Sequence, residues 1–348
     1  MKKIFVFLIV LIVVYVPFKS SAYDPVVYKY KNFTYTISYN KIYIGRYTGK
    51  ATTIKVPSKI KGLPVTIFGV QFDVEGKWKC GFEDNKYVKH IVFPKSIKEI
   101  RGYSVRNCKN LKSVVIKGKV KEIEWSTFSE CPKLKKIKLP NSVKVIYEEA
   151  FKNTGLSKFT IGKNVNSFSP SSIAGTKIKK ISIAKGNKWF SEKKGVLYSK
   201  DKKVLCCYPP EKKIKRFSIP NLVKNIDVCA FCEGNEHLEK VVFSNSLMTV
   251  NDFAFDTCKK LKSVKFKKQT ELTIGREVFL NCKSLKKVTI PKNVNKIGKK
   301  AFGYKEKKSG NSYKYVRVKG FTIKGYKGTA AEKYAKKNKF KFVALKKK

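Results

Sequence analysis

The sequence predicts a repeat solenoid, an elongated β-rich fold in which short coils of similar sequence stack on one another. Nine units open at steps of 22 to 24 residues, with a single longer step of 36. Within each unit, apolar and polar residues alternate as they do in a β-strand. One such unit has too little apolar surface to fold alone, whereas stacked units share a core. The nine units open at Val88, Leu111, Leu134, Leu156, Ile178, Ile214, Leu238, Leu261 and Leu285, and a divergent first unit begins near Ile54.

Each unit has three parts, and each part predicts a structural element. The first is a strand such as Leu111-Lys-Ser-Val-Val-Ile116, and the second is a shorter extended piece such as Pro140-Asn-Ser-Val-Lys-Val-Ile146. The third is a compact turn or short helical turn that carries Ala-Phe, as at Ala150-Phe151. Because parallel strands pair about 4.8 Å apart, we expect right-handed coils whose parallel strands surround one continuous apolar core.

The first 22 residues have the pattern of a signal peptide. Lys2 and Lys3 precede an apolar run of 13 residues at 4–16, and small residues lead up to Ala22. That run of 13 residues is shorter than the roughly 20 needed to span a bilayer. We therefore expect export and a mature chain that starts near Tyr23, without a transmembrane segment. An uncleaved membrane anchor is the alternative.

Irregular segments at both ends and near the middle predict caps and an insertion. Apolar residues alternate on both sides of Tyr39-Asn40, which indicates a β-hairpin. A second hairpin is expected within the insertion and should project from the solenoid, and Thr329 can cap a short helix near the end. The predicted division is a signal peptide at 1–22, an N-terminal β-hairpin cap at 23–53, the solenoid at 54–315 with a hairpin insertion at 186–213, and a C-terminal cap with a short helix at 316–348.

With its recurring strand, Pro-x-x-Val-x-x-Ile and Ala-Phe-x-x-Cys patterns, the sequence resembles the BspA-type leucine-rich repeat family of secreted and surface bacterial proteins. The segments Gly195-Val-Leu-Tyr-Ser-Lys-Asp201 and 325–335 are also typical of it, and the resemblance covers about residues 33–345. It implies a leucine-rich-repeat-like fold and an adhesin-like binding role, with host matrix or surface proteins as partners. The family shares no catalytic residues. Ser172-Ile173 departs from the usual Ala-Phe, and Lys339 stands where the final cap often has Gly.

The chain is strongly basic and still able to fold. It has 78 Lys and Arg against 24 Asp and Glu, a net charge of +54, and 42% apolar residues. A surface of this kind attracts polyanions. Lysine is a flexible point charge, whereas arginine gives geometry-specific recognition, so the excess of lysine favours diffuse attraction. The alternative explanation is an AT-rich genome, which enriches lysine everywhere.

Lysine recurs at the second position of the strand in seven of the nine units. We interpret this column, with lysines at the following position, as a face for anionic wall or glycan polymers or for acidic protein surfaces. The alternative is a solvated face whose lysines prevent strand edges from aggregating. The column lacks aromatic residues, so specific nucleic-acid binding is not expected. The candidate ligand-binding residues are Lys89, Lys112, Lys135, Lys136, Lys179, Lys180, Lys215, Lys262, Lys286 and Lys287.

Four of the nine cysteines follow the turn aromatic position and are expected in the core. Stacking leaves disulfides between Cys108 and Cys131, or between Cys258 and Cys282, as the alternative. Cys229-x-x-Cys232 has the spacing of a metal or redox site, but it brackets the core Ala230-Phe231, so packing or a local disulfide is favoured over zinc. Cys206-Cys207 lies in the insertion, as a vicinal pair or as free thiols.

The sequence contains little that indicates catalysis. The two histidines, His90 and His237, each lie at or beside the opening of a unit, where solvent exposure is expected. No nucleophile elbow, metal triad or phosphate loop is evident, so we expect no cofactor, no metal and no enzymatic activity. The favoured function is a secreted or cell-surface leucine-rich repeat binding protein. A structural spacer held in the envelope by charge is the alternative.

Overall fold

The computed structural model describes residues 26–69, 80–231, 235–267, 271–310 and 312–346. The predicted signal peptide at 1–22 and Cys232 lie outside these residues, and the predicted domain boundaries remain proposals. The described chain is a β-solenoid with parallel strands and little helix, as predicted.

The first strand of each unit forms a parallel ladder along one side of the solenoid, called here the first ladder. Its register keeps equivalent residues adjacent, so that Ile91 pairs with Val114 and Val114 with Ile137. Pairing is interrupted after Lys138, after Ile183 and after Lys265. The twelve described strands are Thr53–Lys55, His90–Phe93, Ser113–Ile116, Lys136–Lys138, Phe159–Ile161, Ile181–Ile183, Arg216–Ser218, Lys240–Val242, Ser263–Lys265, Lys287–Thr289, Thr322–Gly325 and Lys341–Ala344.

The second extended piece of each unit, which often follows a proline, forms a second ladder of shorter strands. Ile123 pairs with Ile146, and Ile146 pairs with Phe168, so apolar side chains again lie above one another. These strands are Leu63–Phe68, Glu99–Ile100, Glu122–Ile123, Val145–Ile146, Ser167–Phe168, Asn225–Ile226, Thr249–Val250, Leu272–Ile274 and Val294–Ile297.

The third side consists of compact turns, one of the two alternatives that the sequence predicted, and most of them are not helical. Each contains residues with left-handed backbone, as at Ser126 (φ 50°) and Glu130 (φ 58°), a conformation that ends a right-handed helix. The described repeats contain one 3-10 helix, Pro170–Ile173, in the unit that lacks Ala-Phe. Backbone bonds still join successive turns: the Phe128 N–H donates to the carbonyl of Ala150 over 2.9 Å.

Stacked aromatic rings line the interior beneath these turns. Phe255 lies between Phe231 and Phe279, with ring centroids 4.4 and 5.2 Å away and planes within 20° of parallel. Phe128 and Phe151 stack in the same way, 5.6 Å apart. All five rings are fully buried, so the recurring aromatic position supplies a large share of the apolar contact between coils.

The N-terminal cap is antiparallel where the repeats are parallel. Strands Tyr28–Tyr30, Phe33–Ser38 and Lys41–Tyr47 form a meander whose hairpin turn lies at Tyr39-Asn40. Lys41–Tyr47 then pairs in parallel with Leu63–Phe68, and Lys59–Ile60 pairs antiparallel with that same strand. The meander therefore covers the first edge of the second ladder.

The insertion does not project from the solenoid, which corrects our expectation. Strands Phe190–Lys193, Val196–Ser199 and Val204–Cys207 form an antiparallel sheet, and the last pairs in parallel with Asn225–Ile226 of the second ladder. Its alternate side chains enter different cores: Leu197 packs with the N-terminal coils and Tyr198 with the C-terminal coils. The interior thus forms two apolar clusters rather than one, because successive residues of a strand face opposite ways.

The C-terminal segment extends the first ladder as well as capping it. Thr322–Gly325 pairs in parallel with Lys287–Thr289, and Lys341–Ala344 pairs with Thr322–Gly325. These two strands bring the ladder to twelve, where the sequence indicated about ten units. A hairpin of Tyr304–Ser309 and Ser312–Arg317 precedes them, which we did not predict.

The expected C-terminal helix is Ala330–Lys337. Thr329 occupies its N-cap position, but its hydroxyl donates to the carbonyl of Tyr326 instead of accepting a bond from the helix. The Glu332 carboxylate accepts a hydrogen bond from the Gly328 N–H over 2.7 Å. Ala331 and Tyr334 pack into the C-terminal cluster, so the helix closes the end of the core.

Replacing Phe255 with alanine should destabilise the protein by about 3–5 kcal/mol, because it removes the central ring of a buried stack. Urea unfolding followed by circular dichroism measures this. The matched control is Leu222→Ala, an apolar side chain that is 64% exposed, for which we expect a change within about 0.5 kcal/mol. Equal effects of the two substitutions would contradict the stacked interior.

Candidate binding face

All ten candidate lysines are exposed to solvent, and they lie along the first ladder. Nine of them occupy the start of a ladder strand or the residue before it, and Lys179 lies two residues before Ile181–Ile183. The Lys112 N–H donates to the Lys89 carbonyl over 2.7 Å, and Lys136 pairs with Ser113 one coil earlier. Lys89, Lys112 and Lys135 are therefore direct neighbours on successive coils, at the ~4.8 Å spacing of paired strands.

One acidic residue interrupts the lysine column in the C-terminal half. Glu239 lies between Lys215 and Lys262 and contacts both, at 3.9 and 2.9 Å. The hydrogen bond and positive charge of Lys262, together with Lys215, hold the pKa of Glu239 below its ordinary value. Among the described residues, the other eight candidate lysines have no ion-pair partner within 4.0 Å. The face is consequently most basic in the N-terminal coils.

A groove opens on this face where the first ladder is interrupted between Lys136–Lys138 and Phe159–Ile161. Its volume is about 650 Å³. Its walls carry Lys135, Lys136, Lys138 and Lys158, and Ile137 and Phe159 are among the apolar residues that line it. Lys135 and Lys136 are among the candidates predicted from the sequence, whereas nothing in the sequence pattern indicates that the ladder opens beside them.

A different surface, on the turn side of the second ladder, combines acids with aromatic rings. Trp125 is 53% exposed, its ring centroid lies 5.5 Å from that of Tyr147, and its Nε1–H donates to Glu148 over 2.6 Å. Glu122 and Glu124 lie nearby, and burial and Glu122 raise the pKa of Tyr147. These residues are not among the candidates predicted from the sequence, because tryptophan occurs once in this column rather than in every unit.

The unpredicted hairpin near the C-terminus also exposes aromatic and basic side chains together. Tyr313 is 65% exposed, and the ammonium group of Lys300 lies 3.0 Å from the centroid of the Tyr315 ring. The sequence signal was a Gly310-Asn311 pair, typical of turns, followed by the alternation Tyr313-Lys314-Tyr315, which favours a hairpin.

The column cysteines are buried free thiols that bond to the previous coil. The Cys258 thiol donates to the carbonyl of Phe231 over 3.3 Å, and the Cys282 thiol donates to Phe255 over 3.2 Å. Cys108 and Cys131 make the equivalent bonds to Phe82 and Val105, at 3.1 and 3.2 Å. Burial raises the pKa of Cys258 and Cys282 well above the ordinary thiol value. In this structure the column serves packing.

The histidines and the remaining thiols have equally local surroundings. His90 Nδ1 lies 2.8 Å from the Ser113 hydroxyl, and His237 Nε2 lies 3.4 Å from a Glu211 oxygen. Cys206 and Cys207 are buried free thiols, and Cys229 is half-buried. Within the ranges that the structure describes, no group of three His, Cys, Asp or Glu side chains could hold a metal ion.

Parallel ladders, an Ala-Phe turn column and a buried thiol column define a leucine-rich repeat solenoid. The sequence profile of the BspA type leucine rich repeat region matches residues 79–194 and 206–314 in six copies. The chain therefore belongs to the BspA-type leucine-rich repeat family. The residues between the two matched ranges, 195–205, lie within the insertion.

Solved structures of other leucine-rich repeat proteins are similar over most of this chain. The vaccine antigen PcpA of pneumococcus shares 20% identity, with 93% of this chain and 99% of that chain covered and a TM-score of 0.60. A leucine rich cell surface protein of Faecalibacterium prausnitzii shares 22% identity over 86% and 88% of the two chains, with a TM-score of 0.54. At these identities the likeness shows the fold. No curated protein matches the sequence, and no helix in the described ranges is long and apolar enough to cross a membrane.

Iodoacetamide at pH 8 should leave Cys258 and Cys282 of the folded protein unmodified and should alkylate the half-buried Cys229. The reactive species is the thiolate. The raised pKa keeps the two buried thiols protonated at that pH, and their burial shields them from the reagent. Peptide mapping by mass spectrometry, with the urea-unfolded protein as a fully reactive control, checks this result. A disulfide-linked Cys258–Cys282 peptide would refute it.

Proposed function

We propose that this protein is an exported, surface-exposed binding module whose lysine face holds anionic polymers or acidic protein surfaces. The observation that carries the proposal is the alignment of ten exposed lysines along the first ladder, of which only Lys215 and Lys262 contact an acid within the described residues. Like charges held on neighbouring strands destabilise one another, and a bound polyanion relieves that repulsion.

The chemistry of the face indicates the kind of ligand. Lysine ammonium groups are flexible point charges, so they suit extended polymers with many anionic groups better than one rigid anion. Such binding depends strongly on ionic strength. Family membership and the fold shared with the leucine rich cell surface protein described above support a surface location. Nothing in the site calls for a cofactor or a catalytic group.

A panel of anionic ligands tests this function. Heparin, polyglutamate, isolated wall polymer and host matrix proteins would be measured by biolayer interferometry at two salt concentrations. Saturable preference for one ligand class supports a binding module. Uniform retention on wall polymer alone supports the alternative of a charge-held spacer. An absence of binding to every ligand at low salt would reject the lysine face as a binding surface.

Replacing Lys112, Lys135, Lys262 and Lys286 with glutamine should weaken polyanion binding and reduce its salt dependence. Each lysine that contacts an anion contributes about one unit to the slope of log K against log salt, so the slope should fall by up to about four. Affinity measurements on heparin across a salt series check this expectation.

The control removes the same charge from another exposed column. Lys98, Lys121, Lys144 and Lys224 precede strands of the second ladder and are exposed, so their replacement by glutamine leaves the first ladder unchanged. We expect a clearly smaller change in the salt slope. Equal slopes for both variants would show that the net charge, and not the first-ladder face, determines binding.

A further inference from the structure

The groove beside Lys136–Lys138 is bordered by two unpaired strand edges. Lys136–Lys138 pairs with Ser113–Ile116 on one side only, and Phe159–Ile161 pairs only with Ile181–Ile183. Within the described residues, no backbone hydrogen bond joins the two facing strands. An unpaired edge presents a row of N–H and C=O groups that can pair with another chain. The groove therefore has backbone donors and acceptors on both walls.

The same two coils remain joined on their other two sides. Val145–Ile146 pairs with Ser167–Phe168 in the second ladder, and the Phe151 N–H donates to the Ser172 carbonyl over 2.7 Å. The opening is thus confined to the first ladder. It coincides with Phe159, which occupies an inward position held by valine or isoleucine in most other units and packs against Phe151 and Phe168.

Another interruption of the first ladder shows what such an edge accepts. After Ile183 the ladder again breaks, and there the insertion of this chain lies against the exposed coil. The Ile181 N–H donates to the Gly195 carbonyl, and the Glu211 N–H donates to the Ile178 carbonyl, both over 2.9 Å. An added segment thus satisfies backbone groups at that break, whereas the groove after Lys138 has no such segment among the described residues.

The side chains of the groove specify a sequence pattern. Lys136, Lys138 and Lys158 are exposed on the outer face, whereas Ile137 and Phe159 point inward. Because successive residues of a strand face opposite ways, a strand in the groove would place acids beside the lysines and apolar side chains over Ile137 and Phe159. The groove volume of about 650 Å³ lies within the usual range of binding sites. A second copy of this chain, with a charge of +54, would be repelled.

We propose that the groove between Lys136–Lys138 and Phe159–Ile161 binds an extended acidic segment of a partner protein as an added β-strand. In this mode main-chain hydrogen bonds give affinity, and alternate side chains give specificity. The proposal deepens the proposed function, on which it rests for the acidic nature of the partner. It differs from that broader function because it requires one defined site and hydrogen bonds between the two backbones.

Hydrogen–deuterium exchange of the whole protein tests the site. The probe is a blocked peptide of about seven residues in which glutamate and valine alternate, long enough to pair along both edges. Its control has the same sequence with N-methyl groups on adjacent glutamate and valine residues, which removes backbone donors toward both edges because successive N–H groups of a strand face opposite neighbours. We expect the first peptide to slow amide exchange in 136–138 and 159–161, and the methylated peptide to leave exchange there unchanged. Equal protection by both peptides, or none by either, overturns the proposal.

Two charge-matched variants test the position of the site. Lys138→Gln with Lys158→Gln removes two lysines from the groove, and Lys89→Gln with Lys112→Gln removes two beside an intact part of the ladder. The first variant should lose about two- to tenfold in peptide affinity, and the second less. Equal losses would place the peptide elsewhere and overturn the proposal.

Heparin binding by the same protein separates this proposal from the broader function. If heparin binds but the glutamate–valine peptide does not slow amide exchange in the groove, the added strand is rejected and the polyanion-binding face stands. If the groove amides are protected while no polyanion binds, the proposed function is rejected and the strand site stands.

Discussion

Backbone pairing between successive coils is the constraint on which the rest of this structure depends. Because the second ladder and the turns fix the register, residues one repeat apart become neighbours. The same geometry that aligns Phe231, Phe255 and Phe279 inside therefore aligns lysines outside. The stacked rings are favourably buried, and the aligned lysines repel one another. Both effects come from one register, because no register could keep the rings stacked and also separate the lysine charges.

Recurrence made most of the fold predictable, and the two main features that the sequence did not predict, the pairing of the insertion and the hairpin of Tyr304–Ser309 and Ser312–Arg317, occur once each. Apolar residues at fixed positions, such as Val114, Ile137 and Val264, specify a shared interior, so the parallel ladders and the buried thiols followed from the sequence. The insertion occurs once, and its pairing with Asn225–Ile226 depends on three-dimensional proximity. The sequence left compact and helical turns open because Ala-Phe is compatible with both, and the left-handed residues Ser126 and Glu130 decide for the compact turn.

The sequence predicted which lysines lie on the candidate face, but it did not predict their ion pairs or the groove between them. Sequence periodicity placed all ten lysines on the exposed side of one ladder. It could not show that Glu239 would contact two neighbouring lysines, because side-chain pairing depends on rotamers and register together. Nor could it show that the ladder opens beside Phe159, since Phe217 occupies the same position in another unit and a phenylalanine there is still an inward apolar residue.

The inserted sheet, which separates the two apolar clusters, has a consequence for the history of the array. Tandem repeats lengthen and shorten when units are duplicated or deleted, and each such event shifts every later coil against its old neighbours. Here Leu197 closes one interior and Tyr198 the other, so a unit gained on one side leaves the packing on the other side untouched. The inserted sheet therefore ends both apolar clusters, and the coils on its N-terminal and C-terminal sides can evolve different numbers and surfaces independently.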